Sequence, residues 1–118
     1  MIKIVRIICL FAALTLGVNL YAVDMKDVIA APVPFNPNTH TLSIMNLPNY
    51  DSFTLEVYDV AGDRAVVRTY TVPANVKWNG RNNSGRLVRP GMYILKITAR
   101  DTVTDAFGRK TIRILVKY

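Results

Sequence analysis

The side chains able to do covalent or metal chemistry are few in this sequence. One histidine, one cysteine and eight Asp+Glu are spread over 118 residues. His40 sits between Thr39 and Thr41 with no second histidine to complete a metal set or a nucleophile–base pair, and it is read as a solvated surface residue. Ser43, Ser52 and Ser84 lack the G-x-S-x-G turn that presents a nucleophile. Glu56, the only glutamate, points outward from an alternating strand. Asp59 with Asp63, and Asp101 with Asp105, offer loop oxygens to a calcium ion, but neither pair completes a calcium-loop pattern, so they are read as turn formers. No catalytic, cofactor or metal site is expected, and the chain is not expected to be an enzyme.

Cationic chemistry is better represented. Lys96, Arg100, Arg113 and Lys117 fall on the outward set of two alternating strands near the C-terminus, with Arg109 and Lys110 expected near the tip between them. If those strands pair, like charges crowd one face unless an anion is near. The face is a candidate for an anionic envelope polymer or an acidic partner, but it is read first as a solubilising surface that discourages edge pairing. No aromatics interleave with these cations in a pattern for reading nucleic acid, which is excluded as a partner.

The elements that must carry these residues repeat with period two. Ser52–Tyr58 alternates strictly, placing Phe53, Leu55 and Val57 on one face. Asp59–Asp63 supplies a turn, and Ala65–Val72 is rich in β-branched residues. Val76 and Trp78 share a face in a short strand. Tyr93, Leu95, Ile97 and Ala99 alternate with polar residues, and Ile112, Ile114 and Val116 repeat the pattern, so these last two runs read as an antiparallel hairpin. Thr41–Ile44 adds another strand. No segment sustains a helical period. The expected fold is all-β: an Ig-like two-sheet antiparallel sandwich of about seven strands.

A targeting segment precedes it. Lys3 and Arg6 open the chain, an uncharged apolar run follows, and Leu20-Tyr21-Ala22 places a small residue before a cut. Residues 1–22 are therefore read as a secretory signal peptide, 23–38 as an extended proline-rich lead-in and 39–118 as the sandwich. The apolar run is short of the ~20 residues a membrane span needs, so no span is expected after cleavage. Cleavage removes the only cysteine, leaving stability to the hydrophobic core.

Residues 78–93, Trp-Asn-Gly-Arg-Asn-Asn-Ser-Gly-Arg-Leu-Val-Arg-Pro-Gly-Met-Tyr, carry the most specific pattern. Trp78 is large enough to fill the gap of ~10 Å between packed sheets. Gly80 and Gly85 bracket a turn with unusual backbone angles, and Asn82 and Asn83 are residue types able to adopt left-handed geometry. Gly91 follows Pro90 where the next strand begins, and Tyr93 is expected to bury its ring and find a hydroxyl partner.

This segment resembles the W-D/N-G…G…G-x-Y signature of the Ig-like domain of flagellar hook-capping (FlgD-type) proteins, with Trp78, Gly80, Gly85, Gly91 and Tyr93 as its structural residues. Val57–Gly62 is similar to that family's strand-turn, and Pro32–Pro37 is similar to the opening of C-terminal sorting domains used by type IX secretion. The resemblance implies a non-catalytic, extracytoplasmic module of a bacterial cell envelope or surface. Its implied partner is a protein of the envelope or of a secretion or flagellar apparatus. Two other functions fit the same residues: a sorting domain recognised by a secretion machine, and a small carbohydrate- or envelope-polymer-binding domain.

Overall fold

The computed structural model describes residues 25–118; the signal peptide expected at 1–22 lies outside the described residues. Seven strands form two antiparallel sheets. They are β1 (Ile29–Ala31), β2 (Leu42–Met45), β3 (Ser52–Asp59), β4 (Arg64–Tyr70), β5 (Lys77–Trp78), β6 (Gly91–Arg100) and β7 (Phe107–Val116). One sheet has the order β1-β2-β5 and the other β4-β3-β6-β7. The expected all-β sandwich is thus the observed fold. A single 3₁₀ turn, Pro73–Asn75, is the remaining regular element among the described residues, and no helix there is long and apolar enough to cross a membrane.

Alternation builds the core as the sequence pattern requires. Phe53, Leu55 and Val57 of β3 face Leu42 and Ile44 of β2, and all are at most 5% exposed. Tyr93, Leu95, Ile97 and Ala99 extend that inner face along β6, and Ile114 and Val116 along β7. No polar or charged residue is buried among the described residues. Each fully buried Val, Leu or Phe contributes roughly 1.5–3 kcal/mol, which is where a domain without disulfides must find its stability.

The proline-rich segment is more than a lead-in. Its residues Met25, Val28 and Phe35 belong to the core, and it serves both sheets in turn. Ile29–Ala31 pairs with β2, two cis X-Pro bonds follow at Pro32 and Pro34, and Phe35 then crosses to β7. There its N–H donates to the Leu115 carbonyl (2.8 Å) and its carbonyl accepts from Lys117 N–H (3.0 Å). A segment rich in proline has few donors of its own, so it suits a path that changes sheets.

Candidate functional site

Two cationic regions lie at opposite edges of the four-stranded sheet. On the β7 side, Lys96, Arg100, Arg109 and Arg113 share the solvent face, and the register decides how they meet. Lys96 lies opposite Thr111, Arg113 opposite Ile94, Arg109 opposite Thr98, and Arg100 opposite Phe107. No two cations stand directly across from one another, so the expected crowding of like charge is relieved by a stagger. Lys96 also lies opposite Glu56 of β3.

The loop before β7 is shorter than expected, which corrects two placements. Arg109 lies within the strand rather than at its tip. Lys110 lies on the opposite face, across from buried Ile97. Its stem runs along the sandwich side and its Nζ donates to the Lys26 carbonyl at 3.2 Å. A strand's two-residue period separates adjacent side chains, so Lys110 cannot join Arg109 on one surface. Lys117 keeps the outward parity but follows the last strand residue, with its amide engaged by Phe35. Arg100 forms a 2.6 Å salt bridge with Asp105, and the Arg109 guanidinium stands 5.8 Å from the centre of the Phe107 ring.

The second region forms around the Trp-Asn-Gly segment. Trp78 is 1% exposed, with its ring centre 5.7 Å from that of Phe35 and 5.8 Å from that of Tyr93. Its Nε1–H donates to the Arg81 carbonyl (2.9 Å), so the core filler also fixes the loop that follows it. The Tyr93 hydroxyl donates to the Arg89 carbonyl at 2.7 Å, the partner its burial demands. Burial first, then the nearby Tyr118 and Asp59, raise the pKa of Tyr93 above its ordinary value. Gly80 has φ +77°, and a Cβ there would stand 2.4 Å from the Pro37 Cβ, so both backbone and space call for glycine.

Gly80 and Gly85 take the left-handed geometry that Asn82 and Asn83 were also able to adopt; the asparagines do not. Both asparagines instead accept backbone donors. Asn82 Oδ1 takes the amides of Ser84 and Arg86 at 3.0 Å each. Asn83 reaches β4: its N–H donates to the Ala65 carbonyl (3.1 Å) and its Oδ1 accepts from Val67 N–H (3.3 Å). The β3–β4 register shifts between Val57 and Tyr58. The shift places Ala65 as the extra residue of a bulge, and Asn83 takes the carbonyl this leaves unpaired.

Between this loop and the ends of β3, β4 and β6 lies a recess of about 610 Å³, lined among others by Asp59, Arg64, Asn82, Arg86, Arg89 and Tyr93. The three arginines are exposed and form no ion pair among the described residues. One oxygen of the Asp59 carboxylate, Oδ1, serves the turn, accepting from Ala61 N–H (3.0 Å) and Asp63 N–H (2.9 Å). Arg64 is distant in sequence from Arg86 and Arg89, and no local pattern marks the three as a group.

Of the other sequence candidates, His40 is exposed and its Nδ1 is 2.7 Å from the Thr39 hydroxyl. Asp101 Oδ1 accepts from Val103 N–H at 3.0 Å, a turn role like that of Asp59. Among the described residues the hydrogen-bond partner of the His40 ring is Thr39, not a serine. Among the described residues no three His, Cys, Asp or Glu side chains are grouped as metal ligands would be.

No known protein family matches the chain, and no curated protein matches it. Among solved structures the chain is similar to PorZ, an essential bacterial surface component of the type-IX secretion system of human oral-microbiomic Porphyromonas gingivalis. The two share 26% sequence identity with a TM-score of 0.56. The match covers 77% of this chain and 11% of that chain, so the chain spans about a ninth of PorZ's length.

Proposed function

We propose that this chain is a non-catalytic docking module of the bacterial cell surface, recognised through protein–protein contacts by a secretion apparatus of the type IX class. The observation that carries the reading is the similarity to PorZ, which extends over most of this chain at 26% identity. It favours the secretion context over the flagellar one that the Trp-Asn-Gly segment also resembles. The non-catalytic part of the reading is supported by how the chain uses its polar side chains: Trp78, Tyr93, Asn82, Asn83 and Asp59 all spend their hydrogen bonds on the backbone. Protein contact is favoured over carbohydrate stacking because the aromatics of the outer sheet face stand apart. Tyr58 and Phe107 lie in rows separated by most of β6, opposite Ile94 and Arg100 respectively.

A reporter inserted between Ala22 and Val23 of the full chain tests the reading. The readout is protease accessibility at the surface of bacteria with an intact type IX apparatus and of an otherwise identical strain with it disabled. The fusion is expected at the surface in the first strain and within the envelope in the second. An identical distribution in both strains overturns the proposal.

A further inference from the structure

The four-stranded sheet has two edges, and the fold treats them differently. The β4 edge is occupied by Asn83 at Ala65 and Val67. Among the described residues the β7 edge is hydrogen-bonded through its backbone only at its C-terminal end, by Phe35 between Leu115 and Lys117, although β1 also approaches the strand. Those two bonds fix the parity of the strand: the N–H and C=O groups of odd-numbered residues point away from β6. The same groups of Arg109, Thr111 and Arg113 therefore face outward, and among the described residues no backbone hydrogen bond reaches them from a neighbouring segment. An unoccupied row of ladder groups is a template for an added strand.

We infer that the β7 edge from Phe107 to Arg113 is a strand-addition site for an extended acidic peptide segment of a partner protein. Charge selects the occupant. Arg109 and Arg113 carry their guanidinium groups on the exposed face of the strand whose ladder groups are open, and a guest strand would place its alternate side chains beside them. Acidic residues there gain a cross-strand pair, and basic ones are repelled. A second copy of this chain is disfavoured by the same rule: symmetric antiparallel pairing about Thr111 would set Arg109 of each copy against Arg113 of the other. Phe107, 40% exposed at the end of the edge, offers an apolar contact for a guest side chain. The guest so defined has acids at alternate positions and an apolar residue at one end.

The inference rests on the docking reading above, and its test is made in solution so that the two can fail separately. The probe is a fluorescent peptide of about twelve residues with alternating Asp and Val, compared with its Lys-for-Asp counterpart, against the purified full chain at low salt. The Asp peptide is expected to bind at least about tenfold more tightly. It should slow amide exchange at Arg109, Thr111 and Arg113.

Thr111→Pro removes one outward donor and leaves the β6 ladder intact, a substitution edge strands tolerate. It should abolish that binding while the circular dichroism stays unchanged. Should Thr111→Pro fail to fold, the double variant Arg109→Glu/Arg113→Glu decides, because it should reverse the preference towards the Lys peptide. Arg86→Glu/Arg89→Glu changes net charge equally and should retain the preference for Asp. Equal losses in the two charge variants, protection at the β4 edge instead, or a concentration-dependent dimer protecting the same amides would each overturn the inference. Surface display that still depends on the secretion apparatus, alongside any of these results, leaves the docking reading standing and this one refuted.

Discussion

The two edges of the four-stranded sheet solve one problem by opposite means. At β4 a loop held by core contacts lays Asn83 along the start of the strand, so the edge at Ala65 and Val67 is closed by hydrogen bonds. At β7, among the described residues, backbone hydrogen bonds through Phe35 close only the last residues and leave Arg109, Thr111 and Arg113 exposed, guarded by charge. Closure by hydrogen bonds is rigid and independent of salt, whereas a guard of charge is selective, repelling like strands and admitting oppositely charged ones. The difference separates a structural end of the molecule from one available to a partner.

Trp78→Ala should break the comparison most severely. It removes the largest fully buried side chain, together with the Nε1–H that holds the Arg81 carbonyl. Urea unfolding of the full chain should report a loss of about 3–5 kcal/mol, and exchange at Val67 and Asn83 should rise well before exchange in β7. Equal loosening of both edges would show that the loop does not depend on its anchor.

Gly80→Ala acts on the same loop through the backbone. With φ at +77° and Pro37 in the way, about 1–3 kcal/mol of strain is expected, seen as a lower urea midpoint with an unchanged slope.

Asn83→Ala is narrower. It removes the acceptor of Val67 N–H and should cost about 1 kcal/mol, with faster exchange confined to β4. If the protein also gains a tendency to associate, the role of Asn83 as an edge cover is sharpened; unchanged Val67 exchange would refute it. Arg113→Ala should lie within about 0.5 kcal/mol of the parent, because its side chain is exposed and no hydrogen bond or ion pair is formed by it among the described residues.

Alkaline pH offers a further contrast. Tyr93 beside the loop and Tyr70 on β4 both have pKa values raised by burial above the ordinary 10.0. A phenol whose folded pKa is raised binds its proton more tightly in the native state, so its stabilisation is complete below pH 10 and is lost as pH rises through the folded value. The covered edge should therefore loosen first above pH 10, by amide exchange or tyrosine absorbance. Tyr93→Phe should flatten that dependence.

Much of the fold was legible because its signals are local. The alternation of Phe53, Leu55 and Val57 with polar neighbours specifies a half-buried strand whatever it pairs with. Gly62 and Gly85 mark turns because other side chains rarely adopt their positive φ. Trp78 and Tyr93 were legible as core residues needing polar partners, and both found backbone carbonyls. The roles of Asn82 and Asn83 stayed open in the sequence, since an asparagine at a turn can serve by its conformation or by its side-chain amide, and only the fold chooses between them. The proline-rich segment hid β1 because a three-residue strand is too short to display a period.

By itself, then, the sequence determined the strand periods and the turn positions, both fixed by neighbours within a few residues. Tertiary structure decided which edge is covered, how the β6–β7 register staggers the cations, that Lys110 turns to the other face, and that Arg64, Arg86 and Arg89 share one recess. Those features depend on pairing between distant strands. A shift of one residue in register sends every side chain to the opposite face, so no short window of sequence holds the information that places them.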